Sequence, residues 1–242
     1  MKQDIYLTIV IPAYKEEKRI HFILEAIIRY QKNKSFLIEV IVVVDGLFDK
    51  TAEAASKFVS ELPLLKIMCR AENKGKGYSI REGVLQAQGK YILFADADNS
   101  TPIEQVETLL AFANQYDVVI GSRYCTGGKL AVPQSLKRIV GSRVLNLIIR
   151  MLATRGIKDT QCGFKLFQRK AARKIFSKQK FERFSFDVEI LAIARILGYK
   201  IKEVGIKWLD HPHSTVHPLR DGVRMIRDAW QVRKNIFKGV YR

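Results

Sequence analysis

The sequence predicts an α/β fold of the Rossmann-like type, with a mostly parallel central sheet flanked by helices. In the first half of the chain, short apolar runs alternate with segments of helical periodicity, and the connections between them are short. The run at 40–44 is β-branched and apolar at every position, which is typical of a strand buried on both faces. Alternation of this kind produces parallel strands joined by right-handed crossovers. Ligands of such sheets bind beyond the carboxyl ends of the strands.

The individual elements follow in order along the chain. Strands are expected at 7–11, 40–44, 64–69, 91–95 and 116–120, and helices at 19–30, 51–59, 77–88 and 102–113. After Gly121 the pattern becomes less regular, and it predicts a basic apolar helix at 136–152, a loop at 159–167, a helix at 188–197, a strand at 201–208 and a basic helical tail at 219–242. No internal repeat or low-complexity linker interrupts the chain, so we expect a single domain over 1–242.

The charge of the chain points to an anionic partner. Lys and Arg number 42 against 24 Asp and Glu, a formal net charge of +18. Nucleic acid, an anionic lipid surface and a phosphate-rich substrate would each fit this charge. Cys69, Cys125 and Cys162 form no CxxC pair, which argues against a zinc site or a disulfide framework and for a reducing compartment. No signal peptide is visible, and no run reaches the roughly 18 apolar residues of a spanning helix.

The clearest candidate for chemistry is the Asp96-Ala97-Asp98 sequence that ends the strand at 91–95. Residues two apart on an extended segment point the same way, so both carboxylates can reach one point. Hard oxygen ligands suit Mg²⁺ or Mn²⁺, whose remaining ligands are commonly waters and substrate phosphates. The structural alternative is a strand end with solvated acids.

Two further segments could bind phosphate. Asn73-Lys74-Gly75-Lys76-Gly77 precedes a predicted helix, where glycines, lysines and the helix N-terminus together favour an anion. It lacks the P-loop pattern, and a plain turn with a helix cap is the alternative. Gly121-Ser122-Arg123 follows a strand, so Arg123 could neutralise a phosphate or be an ordinary surface arginine. The histidines do not form a convincing metal site; they are His21, His211, His213 and His217.

The helix at 136–152 combines an apolar face with several cations. That combination is typical of a helix lying in a membrane interface, although a core helix with a basic edge has the same composition.

Several motifs together resemble glycosyltransferase family 2, in particular its dolichyl-phosphate β-glucosyltransferase branch and the neighbouring dolichyl-phosphate mannose synthases. The matching stretches are VIPAYKEEKRI at 10–20, EVIVVVDGLFDKT at 39–51, NKGKG at 73–77, DAD at 96–98, GSR at 121–123, DTQCGFKLF at 159–167 and FSFDVEIL at 184–191. DTQCGFKLF is the motif specific to the lipid-phosphate branch. The resemblance implies the glycosyltransferase A-type fold, with a nucleotide-sugar-binding half at 1–121 and an acceptor-binding, membrane-facing half at 122–242.

The resemblance also implies roles for individual residues. The expected donor-binding positions are Pro12, Ala13, Tyr14, Glu16, Val43, Asp45, Lys76, Asp96, Ala97, Asp98 and Ser214. Asp96 and Asp98 would hold the metal, Asp98 being the closest ligand, and together with Arg123 they are the expected catalytic residues. Arg123 would also lie with Asp159 and Gln161 at the acceptor phosphate.

The chain departs from the family pattern at several positions. The family usually has two consecutive acids before the glycine at position 46, and Val44 replaces the first of them. Ser100 stands where mannose synthases often have Gln. The lysine expected after Ser214 is Thr215, whose phosphate contact Arg220 could supply. The membrane spans of many relatives are missing, so we expect a cytoplasmic protein attached peripherally to an anionic membrane surface.

The activity implied is an inverting transfer of a hexose to dolichyl or polyprenyl phosphate, with glucose from UDP-glucose as the favoured interpretation. Mannosyl transfer from GDP-mannose is an alternative. A family 2 transferase acting on a sugar hydroxyl is another, and it would need a base such as Asp159 or Asp187. A nucleotidyltransferase would show a Gly-rich N-terminal phosphate loop. A nucleic-acid-binding module would leave the strand-end acids unexplained, so no nucleic acid partner is expected.

Overall fold

The central sheet belongs to a computed structural model that describes residues 4–126, 128–130, 152, 154, 156–209 and 218–242. The strands are β1 (Ile5–Ala13), β2 (Leu37–Asp45), β3 (Leu65–Arg70), β4 (Tyr91–Ala95), β5 (Val118–Ser122), β6 (Lys129–Leu130), β7 (Phe164–Gln168), β8 (Ile201–Gly205) and β9 (Lys207–Trp208). The helices are α1 (Ile20–Lys32), α2 (Thr51–Ser56), α3 (Lys76–Gln86), α4 (Val106–Leu110), α5 (Arg169–Lys178), α6 (Phe186–Ile196) and α7 (Pro218–Phe237).

Seven strands form one sheet in the order β3-β2-β1-β4-β7-β5-β8, and β6 pairs with β9 separately. The neighbours pair in parallel except at β7, which is antiparallel to β4 on one side and to β5 on the other. Leu166 of β7 lies opposite both Leu93 of β4 and Val119 of β5. The predicted mostly parallel sheet flanked by helices is therefore confirmed.

Helices cover both faces of the sheet with apolar side chains. On one face Ile23 and Leu24 of α1 pack with the fully buried β1 residues Leu7, Ile9 and Ile11. On the other face α3, α5 and α6 contribute buried residues that include Ile80, Ile175, Phe176 and Ile190. Burial of each such side chain stabilises the fold by about 1.5–3 kcal/mol. The sheet therefore provides a rigid base for the residues at its edges.

The strands predicted in the first half all exist, with bounds shifted by a few residues. The predicted loop at 159–167 is wrong from Phe164 onward, because this segment forms β7 in the middle of the sheet. Its lysine and glycine made it appear exposed, yet Lys165 is buried and is neutralised by a carboxylate. Helix α5 was not predicted at all, although its buried residues Ala171, Ala172, Ile175 and Phe176 have helical spacing.

Other bounds also differ from the predictions. The helix expected at 102–113 is a 3-10 turn at Ile103–Gln105 followed by the short α4, and the helix expected at 51–59 ends at Ser56. The strand expected at 201–208 breaks at the buried Ile206 into β8 and β9. The helix expected at 136–152 lies outside the described residues apart from Leu152. Within the described residues, no helix combines the length and the apolar character needed to cross a membrane.

Candidate active site

The carboxyl ends of β1, β2 and β4 meet at one edge of the sheet. β1 and β2 end side by side, with Ala13 opposite Val44, and Asp45 is the last residue of β2. Asp96 follows β4, the strand on the other side of β1. The topology thus brings the predicted acidic residues to the edge at which parallel sheets bind ligands.

Three carboxylates form an acidic cluster at this edge: Glu16, Asp96 and Asp98. Asp96 is half-exposed, and Oδ1 of Asp98 accepts a hydrogen bond from the backbone N of Ser100 at 3.0 Å. Glu16 accepts two hydrogen bonds from Arg19, at 2.8 and 2.7 Å. Burial raises the pKa of Glu16, and the charges of Asp98 and Asp96 raise it further, against the opposing effect of Arg19. Even with Arg19 paired to Glu16, the cluster is a negative region that favours a cation.

Lys76 supplies a positive charge directly to this cluster. Its Nζ lies 2.6 Å from Oδ1 of Asp96. Burial by itself lowers the pKa of Lys76, but the charges of Asp96 and Asp187 outweigh burial and hold that pKa above its usual value. Lys76 is therefore an ammonium group at the acidic cluster throughout the physiological pH range.

Asp45 fixes the loop that precedes Lys76. Its carboxylate accepts hydrogen bonds from the backbone N of Lys74 at 2.9 Å and of Gly75 at 2.7 Å, and from Nη1 of Arg70 at 3.1 Å. Gly75 has φ +108°, and a Cβ there would lie 2.5 Å from the carbonyl oxygen of Glu182. A glycine is required at this position, since only glycine adopts that conformation readily and fits that space. These contacts fix the backbone at the start of α3, and therefore the position from which the Lys76 side chain extends.

Gly163 lies directly against the acidic cluster. A Cβ at Gly163 would stand 2.0 Å from Oδ2 of Asp96. Gly163 immediately precedes β7, which is paired with β4, so the two segments are held together by the ladder of the sheet. The motif that identified the lipid-phosphate branch therefore forms one wall of the site beside Asp96.

A buried ion pair lies beneath this wall. Nζ of Lys165 contacts Oδ1 of Asp187 and donates to the carbonyl oxygen of Cys162 at 2.6 Å. It also lies 5.2 Å from the ring centroid of Phe94. Burial raises the pKa of Asp187, although Lys165 and Lys76 both act to lower it. The pair connects β7, which follows Gly163 in the chain, to α6.

A second ion pair, Arg123 with Asp159, lies at the end of β5, with the Arg123 side chain 20% exposed. Nε and Nη2 of Arg123 donate to the two carboxylate oxygens of Asp159 at 2.8 and 2.9 Å, and the backbone N of Arg123 adds a third bond at 3.0 Å. Asp159 is fully buried, and burial alone would raise its pKa, but the hydrogen bonds and charge of Arg123 lower it overall. Glu203 accepts hydrogen bonds from the backbone N of Lys158 and of Asp159. The guanidinium also lies 5.3 Å from the ring of Trp208.

Aromatic side chains form the outer rim near the end of β1. Tyr14 is 45% exposed and meets the exposed Phe48 edge-on, with ring centroids 5.9 Å apart. Nζ of Lys15 lies over both rings, at 5.5 and 5.8 Å from their centroids. Flat exposed rings at such a rim suit stacking of a nucleotide base.

The acidic cluster fits a divalent cation in its ligand chemistry. Asp96 and Asp98 offer carboxylate oxygens, the donors that Mg²⁺ and Mn²⁺ prefer. In the described part of the chain, no group of three or more His, Cys, Asp or Glu side chains could hold a metal. An ion bound here would therefore take two protein ligands and complete its shell with water and substrate phosphates, as Mg²⁺ usually does.

The structure brings most of the predicted site residues to one edge of the sheet. Pro12, Ala13, Tyr14, Glu16, Val43, Asp45, Lys76, Asp96, Ala97 and Asp98 lie at or next to the ends of β1, β2, α3 and β4. Gln161 lies farther out and its Nε2 contacts Sδ of Met225 at 3.3 Å. Ser214 lies outside the described residues. The binding roles of these residues stay predictions.

Sequence reasoning missed the groups that hold the site residues in place. Lys165, Glu203 and Trp208 were not singled out, and Asp187 was named as a candidate base and not as an ion-pair partner. A lysine between apolar residues in Phe164-Lys165-Leu166-Phe167 is a signal of a buried charge that needs a partner. Nothing in the sequence indicates which carboxylate that partner is.

Comparison with known proteins places the chain in a family. Residues 8–176 match the model of glycosyl transferase family 2. The dolichyl-phosphate beta-glucosyltransferase of Dictyostelium discoideum is 33% identical over 252 residues, which cover 99% of this chain and 77% of that protein. The protein of the same name from Homo sapiens is 33% identical over 250 residues, covering 98% of this chain and 77% of its own length.

Solved structures support the fold. Mannosyl-3-phosphoglycerate synthase from Rubrobacter xylanophilus superposes with a TM-score of 0.71 at 15% identity, covering 97% of this chain and 75% of the other. Glucosyl-3-phosphoglycerate synthase from Mycobacterium tuberculosis, crystallised with Mn²⁺, UDP and glucosyl-3-phosphoglycerate, gives 0.68 at 17% identity, covering 94% and 79%. The expected glycosyltransferase A-type fold is thereby confirmed.

Proposed function

We propose that this chain, which belongs to glycosyltransferase family 2, transfers glucose from UDP-glucose to dolichyl or another polyprenyl phosphate. The names of the relatives at 33% identity over almost the whole chain support both the sugar and the lipid acceptor. Since the sugar of UDP-glucose is α-linked, a β-linked product requires inversion at the anomeric carbon.

The state of the two candidate bases is the structural observation that favours a phosphate acceptor. A sugar hydroxyl must lose a proton as it attacks, whereas a lipid phosphate is already an anion and needs no strong base. Asp159 is buried in its pair with Arg123, and its pKa is lowered. Asp187 is buried in its pair with Lys165. Each carboxylate is already paired with a cationic side chain, an arrangement that does not favour taking a proton from a hydroxyl acceptor.

In the proposed reaction a phosphate oxygen of the lipid attacks the anomeric carbon of glucose. The bond from that carbon to the β-phosphate oxygen breaks, and its electron pair leaves with UDP. The protein aligns the two anions and offsets their repulsion. Lys76, at the acidic cluster, would meet the donor phosphates, and Arg123 follows β5, which β7 separates from β4 in the sheet.

Asp96 and Asp98 would hold a divalent ion, Mg²⁺ or Mn²⁺, which supplies Lewis-acid stabilisation of the departing diphosphate when bound. Gly163 leaves room for the Asp96 side chain that would serve as a ligand.

An assay with radiolabelled sugar nucleotides tests this function. The purified chain is given UDP-glucose or GDP-mannose, with and without polyprenyl phosphate, in Mg²⁺, Mn²⁺ or EDTA, and the product is extracted into organic solvent. We expect label in the organic phase with UDP-glucose, lipid and metal together. Label transferred from GDP-mannose alone would assign a mannosyltransferase, and label confined to water-soluble saccharides would overturn the lipid acceptor.

We also propose that the outer face of α7 lies on an anionic membrane surface. Trp230 and Phe237 are two turns apart on this helix and are 50% and 77% exposed. Exposed cations surround them: Arg224, Arg227, Lys234 and Lys238. The opposite side of α7 packs inward through Met225, Ala229 and Val232. Exposed aromatic rings among cations are typical of helices in a membrane interface.

Liposome sedimentation tests this surface. The double variant Trp230→Ser with Phe237→Ser should bind acidic liposomes at least about tenfold more weakly, since it removes two interfacial anchors. Phe22→Ser is the matched control, because Phe22 is 50% exposed on α1. Binding should also weaken as salt is raised, each cation contributing about 1 kcal/mol at low salt. Equal binding of all variants, or equal binding to neutral liposomes at high salt, would contradict this surface.

A further inference from the structure

We infer that Lys76 changes partner when the donor binds, leaving Asp96 as a divalent ion arrives and moving to the donor diphosphate. Lys76 would thus make the binding of metal and of nucleotide depend on each other. The inference rests on the proposed use of a divalent ion at Asp96 and Asp98.

The first argument is competition for Asp96. Nζ of Lys76 lies 2.6 Å from Oδ1 of Asp96, a member of the acidic cluster whose charge, like that of Asp98, acts on Glu16. An ammonium group that close occupies one of the directions in which the oxygen could bind another cation, and the two cations would repel each other. Lys76 must therefore leave Asp96, or at least turn from it, for Asp96 to act as a metal ligand.

The second argument is that Lys76 can move without a large cost. The Lys76 and Asp96 side chains remain 22% and 34% exposed, and a partly exposed ion pair contributes only about 0–1 kcal/mol to stability. The backbone of the loop before Lys76 is held by Asp45, so the side chain alone has to rotate. A lysine has several rotatable bonds and a compact charge, which suits such a short displacement.

The third argument is that the backbone keeps Lys76 at the site once its side chain leaves Asp96. The backbone N of Gly75 donates to Asp45 at 2.7 Å, and the backbone N of Tyr78 donates to the carbonyl oxygen of Glu182 at 3.0 Å. These bonds hold the chain on both sides of Lys76, so its ammonium group stays within a side-chain length of Asp96.

The fourth argument is charge balance. Two carboxylates, a divalent ion and a diphosphate with two negative charges sum to −2. The ammonium of Lys76, released from Asp96, reduces this excess. The expected consequence is positive coupling, in which metal binds weakly alone and more tightly with a nucleoside diphosphate.

The test measures Mn²⁺ binding by titration, with and without UDP, in the wild type and in Lys76→Met. Lys76→Met should bind Mn²⁺ alone at least about fivefold more tightly, and UDP should increase its Mn²⁺ affinity at least about fivefold less than in the wild type, within the usual range of coupling between sites. Lys170→Met is the matched control, because Lys170 is exposed at the start of α5, at the opposite edge of the sheet, where Gln168 pairs with Tyr91 at the start of β4. It should behave like the wild type.

A second variant separates charge from packing. Lys76→Arg keeps the charge, so it should keep weak binding of Mn²⁺ alone and the coupling to UDP. The inference is wrong if Lys76→Met binds Mn²⁺ no more tightly than the wild type, if its coupling is unchanged, or if Lys76→Arg behaves like Lys76→Met. Those outcomes leave the proposed function intact as long as the wild type binds Mn²⁺ with UDP. A wild type that binds no Mn²⁺ even with UDP would overturn both the metal site and this inference.

Discussion

Two ion pairs at the same edge of the sheet differ in how firmly they are held. Lys76 and Asp96 form a partly exposed pair joined by a single contact, with the Asp96 side chain 34% exposed. In the second pair Asp159 is fully buried and is joined to Arg123, whose side chain is 20% exposed, by three hydrogen bonds, and Glu203 in turn holds the backbone of Asp159. The first pair can exchange partners at little cost, whereas breaking the second leaves a buried charge uncompensated.

This difference separates groups that bind ligands from groups that shape the site. The side of the edge with Glu16, Asp96 and Asp98 has excess negative charge that a cation can neutralise. On the other side, the charges of Arg123 and Asp159 cancel, and their hydrogen bonds fix the end of β5 and the orientation of the guanidinium group. Substitutions on the two sides should therefore affect different measured quantities.

The largest effect on activity should come from Asp98→Ala. Loss of a carboxylate that would hold the divalent ion beside the departing diphosphate should lower turnover by about 100-fold or more. The free energy of unfolding should fall by only about 1 kcal/mol, because one hydrogen bond to the backbone N of Ser100 is lost. Glu72→Ala, at an exposed loop carboxylate, is the control and should keep full activity. Near-normal turnover in Asp98→Ala would remove this carboxylate from the reaction.

Gly163→Ala should have the next largest effect. The added Cβ would stand 2.0 Å from Oδ2 of Asp96, so the Asp96 side chain has to move. We expect turnover to fall by about tenfold and the free energy of unfolding by about 1–3 kcal/mol from the overlap. Gly198→Ala is a contrasting control, since a Cβ there would meet no atom within 4 Å and the variant tests backbone strain alone. Unchanged turnover in Gly163→Ala would show that the position of Asp96 does not matter.

Asp159→Asn should chiefly lower the free energy of unfolding. It leaves the Arg123 guanidinium, whose side chain is 20% exposed, without its counter-charge, which should lower the free energy of unfolding by about 3 kcal/mol in chemical denaturation, the lower end of the range for a buried pair. Asp117→Asn is the control, because Asp117 accepts a hydrogen bond from Lys200 at the exposed start of β8. A loss no larger than in that control would show that the buried pair contributes little.

The same pair should give a pH dependence on the acid side. The pKa of Asp159 is lower in the folded protein than the ordinary carboxyl value of 3.8. The stability from this carboxylate is therefore complete above pH 3.8 and is lost as the pH falls through the lowered folded value. The wild type should lose stability on acidification more steeply than Asp159→Asn. Parallel stability curves for the two proteins below pH 4 would contradict the lowered pKa.

The sequence predicted the parallel part of the fold because its signals are local. The strands predicted at 7–11, 40–44 and 91–95 are largely apolar on both faces and are followed by Pro or Asp, so their buried runs are visible without knowing their neighbours. β7 was missed because its lysine and the preceding glycine are typical of loops. Only contact with β4, β5 and Asp187 makes that segment a buried strand.

The candidate site was predicted to a similar degree and for the same reason. Asp96 and Asp98 lie two residues apart in sequence, so their shared place after a strand is a local signal. The extended geometry predicted for them is wrong, because β4 ends at Ala95 and the backbone N of Asn99 donates to the carbonyl oxygen of Asp96 at 3.3 Å in a turn. Arg123 and Asp159 are far apart in sequence, and the resemblance grouped them at the acceptor phosphate without indicating that they form a buried pair. Contacts across such separations depend on the register of the whole sheet, which no local pattern encodes.

The place of β7 in the sheet has a consequence for how the chain folds. In the strand order β7 lies between β4 and β5, although it is made more than forty residues after β5. A nascent chain that ends before residue 164 would leave facing backbone edges of β4 and β5 unpaired, exposed to association with other chains. The sheet is completed only when a strand distant in sequence pairs with β4 and β5, and such long-range pairing is generally slow. The first 121 residues expressed alone should therefore aggregate and not form a nucleotide-binding unit.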